Sequence, residues 1–229
     1  MSLLQFDGKL IDGLQFCAKA YSLFEEIRNQ PNGISNLRMR TTNVEKKLLE
    51  EILPISRYIQ TKYRTGRYIS VCWIQGNQQF DAEVFEQGGY IDAGCYPAKS
   101  FLEVICAMHP NEYLSWELLE KKGGAFGLDG IRRLKKSKDI ESEPVVYTNG
   151  EFVEFFSQLI IEQINKKVSI KYPENTTLIV SCSLNNLYTP DEWLLLQEMV
   201  ISAEIEHNFR EIFVYDTTTE YNFSLWSRR

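Results

Sequence analysis

Two carboxylates stand where a carboxylate is hardest to accommodate. Asp81 interrupts an alternating strand-like run at 80–85, and Glu103 interrupts 101–108, the most apolar stretch of the chain. A charged group placed mid-strand in a buried sheet is costly unless it is paired or binds a metal. Two acids from adjacent strands can converge on one side of a sheet and hold a divalent cation. Hard cations such as Mg²⁺ take oxygen ligands and keep several waters, so a two-carboxylate site leaves room for a phosphate. Such an ion lowers the pKa of a bound water and neutralises charge on a phosphoryl group in transfer. The competing reading is that both acids face solvent, or pair with Lys99 or an arginine as buried bridges.

Other chemistries find little support. The chain has no GxxxxGK[ST], no GxGxxG after a strand and no GxSxG, which removes the usual phosphate cradles and the nucleophile elbow. Its two histidines, His109 and His207, are far apart; His109 follows the apolar run as a strand-end residue. Cys17, Cys72, Cys95, Cys106 and Cys182 are odd in number with no C-x-x-C pair. Cys72, Cys106 and Cys182 fall inside apolar runs, where a thiol acts as a small core residue.

The elements that must position Asp81 and Glu103 can be read from periodicity. Apolar residues at three- and four-residue spacing predict helices at 14–28, from 43 to about 64 (with Pro54 kinking or splitting it), at 110–122 and at 151–167. A further helix is capped by Thr189 or Asp191 and reaches about 206. Strands are expected at 68–74, 80–85, 101–108, 177–182, 211–216 and 221–226, with Tyr90-Ile91 extending a ragged hairpin. Residues 125–147 read as loop. Mixing strand-rich with helix-strand segments, and without a Gly/Ser-rich linker, this predicts one α/β domain on a mixed central sheet flanked by helices, spanning 1–229.

The helix at 44–64, strands 68–74, 80–85 and 101–108, helix 151–167 and strand 177–182 form an α-β-β-β-α-β series. With Phe80-Asp81 on the second strand and Phe101-Leu102-Glu103-Val104-Ile105 on the third, the chain resembles the PD-(D/E)xK, or restriction-endonuclease-like, nuclease superfamily. The resemblance covers roughly 44–182, behind a helical extension at 1–43 and before a helix-strand addition at 183–229. It implies cleavage of DNA phosphodiesters with Mg²⁺ (or Mn²⁺). Asp81 takes the place of the motif Asp and Glu103 that of the motif acid, with Val104 offering its carbonyl as a further ligand. Glu50 or Glu51 can supply the helix glutamate. The sequence departs from the pattern at Phe80, where the motif has Pro, and at Ile105, where it has Lys. Isoleucine can neither orient a water nor balance charge; Lys99, or Lys121 or Lys122, is a candidate to migrate into that role, and Glu117 a candidate to support the metal. Ile105 also favours an alternative, a scaffold that has lost catalysis and serves as a nucleic-acid- or protein-binding module.

A formal charge of −6 argues against a protein that coats nucleic acid non-specifically. Local basic clusters remain: Lys121, Lys122, Arg132, Arg133, Lys135, Lys136 and Lys138 against Asp129; Lys166, Lys167 and Lys171; and Arg57, Lys62, Arg64 and Arg67. Contacts of this kind position DNA by its phosphates without reading its sequence. The aromatics, such as Phe152, Phe155 and Phe156, read as packing. No leader or membrane span is apparent, so the expected compartment is the cytoplasm. An edge strand near 211–226 offers a surface for a homodimer or a protein partner.

Overall fold

The computed structural model describes residues 2–135, 137–184 and 188–227; Lys136 of the first basic cluster lies outside them. The N-terminal quarter is mostly helical. A short strand β1 (Leu10–Asp12) leads into α1 (Gly13–Arg28), which Asp12 caps by accepting the N–H groups of Leu14 and Gln15. Next comes α2 (Gly33–Met39), whose first residue must be glycine, since a Cβ there would lie 1.9 Å from the Ile27 carbonyl oxygen.

The long helix expected from residue 43 is continuous but not uniform. It comprises α3 (Asn43–Lys47), a π-helical turn (Leu48–Ile52) and α4 (Leu53–Lys62). Pro54 is the physical reason. It has no N–H to offer the carbonyl four residues back, and the Leu53 N–H reaches five residues back to Leu48. The wide turn carries Glu50 and Glu51.

Strands β2 (Tyr68–Trp73), β3 (Ala82–Gln87) and β4 (Lys99–Met108) follow, with the helical turn α5 (Gly89–Asp92) before β4. Tyr90-Ile91 therefore belongs to a helical turn and not to a hairpin. After α6 (Glu112–Lys122), the segment expected as loop contains a separate hairpin, β5 (Ile131–Arg133) with β6 (Ile140–Ser142). The chain closes with α7 (Asn149–Val168), β7 (Thr176–Ser183), α8 (Pro190–Ser202), β8 (Glu211–Asp216) and β9 (Asn222–Trp226).

The main sheet runs β1-β2-β3-β4-β7-β8-β9. Pairing is antiparallel from β1 to β4, parallel through β4-β7-β8, and antiparallel again at β9. The protein is thus mixed α/β, with helices on both faces of a central sheet. Alternation along β4 assigns its residues to the two faces. Leu102 and Val104 join the core under α1 and α4, whereas Ile105 and Ala107 join the core under α7 and α8. Strand β8 lies inside the sheet, so only β9 and β1 form its edges. All five cysteines are free, and among the described residues no helix is long and apolar enough to cross a membrane.

Helix α7 carries the α7/α8 face and starts with a reciprocal cap in which Thr148 and Glu151 satisfy each other's backbone N–H. Thr148→Ala is expected to lower stability by about 1 kcal/mol, seen as a fall of about 2–4 °C in thermal midpoint.

Candidate active site

The site originates where two strands part. The register of β3 with β4 ends at Ala82↔Leu102, so residues 103–108 of β4 have no partner on β3. Asp81, one residue ahead of β3, fills the first gap. Its N–H donates to the Leu102 carbonyl, and its Oδ2 accepts the Val104 N–H, each at 2.8 Å. A strand residue sends its N–H and C=O to the same side, so the Val104 carbonyl also points to this open edge.

Glu103 leaves β4 on the α7/α8 face and is 9% exposed. Its Oε1 accepts from Lys167 Nζ at 2.6 Å and from the Tyr172 hydroxyl at 3.3 Å. Lys167 comes from the last turn of α7, whose side chains Phe156, Ile160 and Ile164 pack in the same cluster as Ile105. The Tyr172 phenol is pushed up by burial and by the neighbouring Glu103 carboxylate. From the other face, the π turn brings Glu51, which accepts from Trp73 Nε1 at 3.0 Å and pairs with Lys47. Beside it, Glu50 accepts from Arg40 Nη1 at 2.5 Å and from the Tyr113 hydroxyl at 3.2 Å.

Asp81 thus sits at the strand edge, with Glu51 and Glu103 approaching from opposite faces. Burial, then Glu51 and then Glu103, push its carboxyl up from 3.8 to about 7, against the opposing pull of the Val104 N–H and Lys47. Asp81 Oδ1 and Glu103 Oε2 accept no hydrogen bond among the described residues. These two carboxylate oxygens and the edge carbonyl are oxygen donors of the type hard cations take. They do not make a closed cage: among the described residues no three Asp, Glu, His or Cys side chains are grouped so as to hold a metal ion.

The remaining predicted residues lie elsewhere. Lys99 pairs with Glu83 at 2.9 Å and lies over the Phe85 and Phe101 rings. Four residues of extended chain, ~13 Å, separate it from Glu103. Glu117 on α6 is held by Lys121 and Arg133, which lower its pKa. Lys122 donates to the Ile140 carbonyl. His109 has both ring nitrogens engaged, with the Asn111 N–H and with Asp129.

Pairing also redraws the basic clusters. In the first, Arg132 is matched by Glu141 and Glu143, and Arg133 and Lys121 by Glu117. In the third, Arg67 is fully buried against Glu86, and Lys62 is largely buried against Glu211, so these two are structural and present no charge to a duplex. Lys166 and Lys171 are exposed on either side of Lys167.

The sequence reading named Glu51 only as an alternative to Glu50, and Lys167 only as part of a basic cluster. Glu51 could only be named together with Glu50, since a regular helix and a π turn aim them differently. Lys167 had a usable signal, because it continues the apolar stripe 156, 160, 164 by three residues and so must face the sheet.

The raised pKa of Asp81 has a sign that can be tested. Its native carboxyl binds a proton more tightly than the unfolded one. Between about pH 4 and 7 the native state therefore holds more protons, and stability falls as pH rises through this window. Urea midpoints are expected to decline from pH 5 to pH 8 in the wild type and to decline less in Asp81→Asn.

Compared with protein-family models, with curated proteins and with solved structures, the chain matches none.

Proposed function

We propose that this chain is a metal-dependent nuclease of the PD-(D/E)xK kind that hydrolyses DNA phosphodiesters. The observation that carries the reading is Asp81. It stands where the second and third strands of an α-β-β-β-α-β series diverge, it is crowded by Glu51 and Glu103, and its carboxyl is raised to about 7. A divalent cation held there would relieve that strain, neutralising the acids without requiring a proton. Asp81 and Glu103 would hold Mg²⁺ or Mn²⁺, with the Val104 carbonyl as third donor. When bound, the ion supplies Lewis acidity and a water of lowered pKa. Lys167, which pairs with Glu103 where Lys99 does not, would take the role of the motif lysine that Ile105 cannot fill. The exposed Lys166 and Lys171 next to it offer phosphate contacts.

One observation favours the second reading, a binding module without catalysis. The Lys167-Glu103-Tyr172 contact closes on a glutamate that is nine-tenths buried, as a structural bridge would. Calorimetry with Mg²⁺ and Mn²⁺, run beside cleavage of plasmid and single-stranded DNA, separates the two. Metal binding with cleavage that Lys167→Met reduces by about 10²-fold supports the nuclease. An inert protein that binds no metal overturns it.

A further inference from the structure

Within the third basic cluster, Lys62 and Arg67 have acids of their own, and Arg57 does not. No carboxylate among the described residues lies within ion-pair distance of it. Its side chain makes one hydrogen bond among them, from Nη2 to the Thr219 carbonyl at 3.2 Å, in the turn after β8. The residue is half-buried, and its Nε and Nη1 are neither engaged nor closed off from solvent. Guanidinium stays charged at every relevant pH. Arg57 therefore presents an accessible positive charge with donors to spare.

That charge stands at a cleft of about 320 Å³, within the size range of small-molecule sites. Arg57 and Thr219 both line the cleft, so the contact between them fixes the guanidinium at its wall. Tyr215 lines it as well. Burial pushes the Tyr215 phenol up, and the Arg57 charge opposes the rise, as a nearby cation must. The opposite wall is apolar. Phe24 of α1, Leu49 of the π turn and Leu53 at the start of α4 line it with partly buried side chains that pack on the core behind them. No lysine and no second arginine lines the cleft. Asp216 does, but its side chain leaves β8 on the other face from Tyr215, opposite Cys182 in the register, and accepts from Thr218.

We propose that this cleft binds a small monocarboxylate with an apolar body, the carboxylate on Arg57 and the body against Phe24, Leu49 and Leu53. The planar guanidinium offers N–H groups spaced to meet both oxygens of a carboxylate. A single unmatched cation balances a monoanion, whereas a dianionic phosphate would leave negative charge in excess beside apolar walls. Burial of the body against the three apolar side chains supplies the driving force. The site shares no residue with the Asp81 edge and does not rest on the nuclease reading.

The probes are octanoate, butyrate, 1-octanol and octyl phosphate, each titrated calorimetrically into the whole chain at constant ionic strength and below any micellar concentration. Octanoate is expected to bind saturably at one site per chain. Butyrate, four methylenes shorter, should bind more than tenfold more weakly, and so should octanol, which brings no charge to Arg57. Arg57→Met should weaken octanoate by about tenfold or more and leave octanol unchanged, which separates loss of the anion contact from loss of the cleft. If Arg57→Met fails to fold, Arg57→Lys, which keeps the charge but loses the planar fork, should still weaken octanoate. No saturable octanoate binding, or unchanged affinity in the folded Arg57 variant, overturns the site. Octyl phosphate binding more tightly than octanoate overturns its assignment to a monocarboxylate.

Discussion

Asp81→Asn is expected to reduce Mg²⁺- or Mn²⁺-dependent DNA cleavage by about 10³-fold, equivalent to about 4 kcal/mol of lost transition-state stabilisation, while leaving the protein folded. The substitution separates the proposed metal contact from the local hydrogen bond. An asparagine oxygen can still accept the Val104 N–H at the gap between β3 and β4, so the local backbone stays satisfied. What disappears is the negative charge. Because burial, Glu51 and Glu103 all oppose that charge, its removal should raise stability at pH 8, where the wild-type carboxyl is mostly ionised. Loss of cleavage with gain of stability is the pattern expected of a group kept for function at a cost to the fold. Glu103→Gln should remove cleavage too, and destabilise as well, because it leaves the Lys167 ammonium beside a neutral amide. Cleavage rates and calorimetric metal affinity, measured on the same preparations, decide the matter. Full activity in Asp81→Asn would remove this residue from any catalytic role.

Glu86→Ala should be the most damaging single change to stability, by about 3–5 kcal/mol and about 6–20 °C in thermal midpoint. Arg67 and Glu86 are each 1% exposed and joined through both prongs of the guanidinium. Removing the acid leaves a cation buried without a partner. The cost arises mainly from that stranded charge and much less from the lost attraction. The double variant Arg67→Met with Glu86→Leu should therefore recover most of the loss. Urea unfolding of the three proteins tests this, and a single variant within 1 kcal/mol of wild type would show that water or a rearranged acid reaches Arg67.

The elements around both sites differ in how plainly they can be read. Helices α1 and α7 and strands β7 and β8 are close to their expected limits, because their apolar residues repeat at the period of the structure they form. Strand β1 has three residues and too little pattern to stand out; its pairing with Leu10↔Cys72 through Asp12↔Ser70 on β2 makes it a strand. The hairpin β5-β6 is legible for the same reason only in retrospect. Pro54 announced a break, but whether the helix would kink, split or widen into a π turn depends on what its side chains meet in the core.

By itself, the chain determined that helices flank a mixed sheet and that Glu103 lies within a strand, since each follows from local periodicity and from polar residues breaking it; Asp81, read as a strand residue, stands one residue ahead of β3. Which cation meets Glu103 was decided elsewhere. Lys99 is four residues away yet points at Glu83, whereas Lys167, 64 residues along, arrives because α7 crosses beneath β4. Likewise Arg67 looked like surface charge until the end of β3 brought Glu86 to it. Charge partnership is a long-range property. It is set by how elements cross and in what register strands pair, and neither quantity is written in the spacing of residues along one segment.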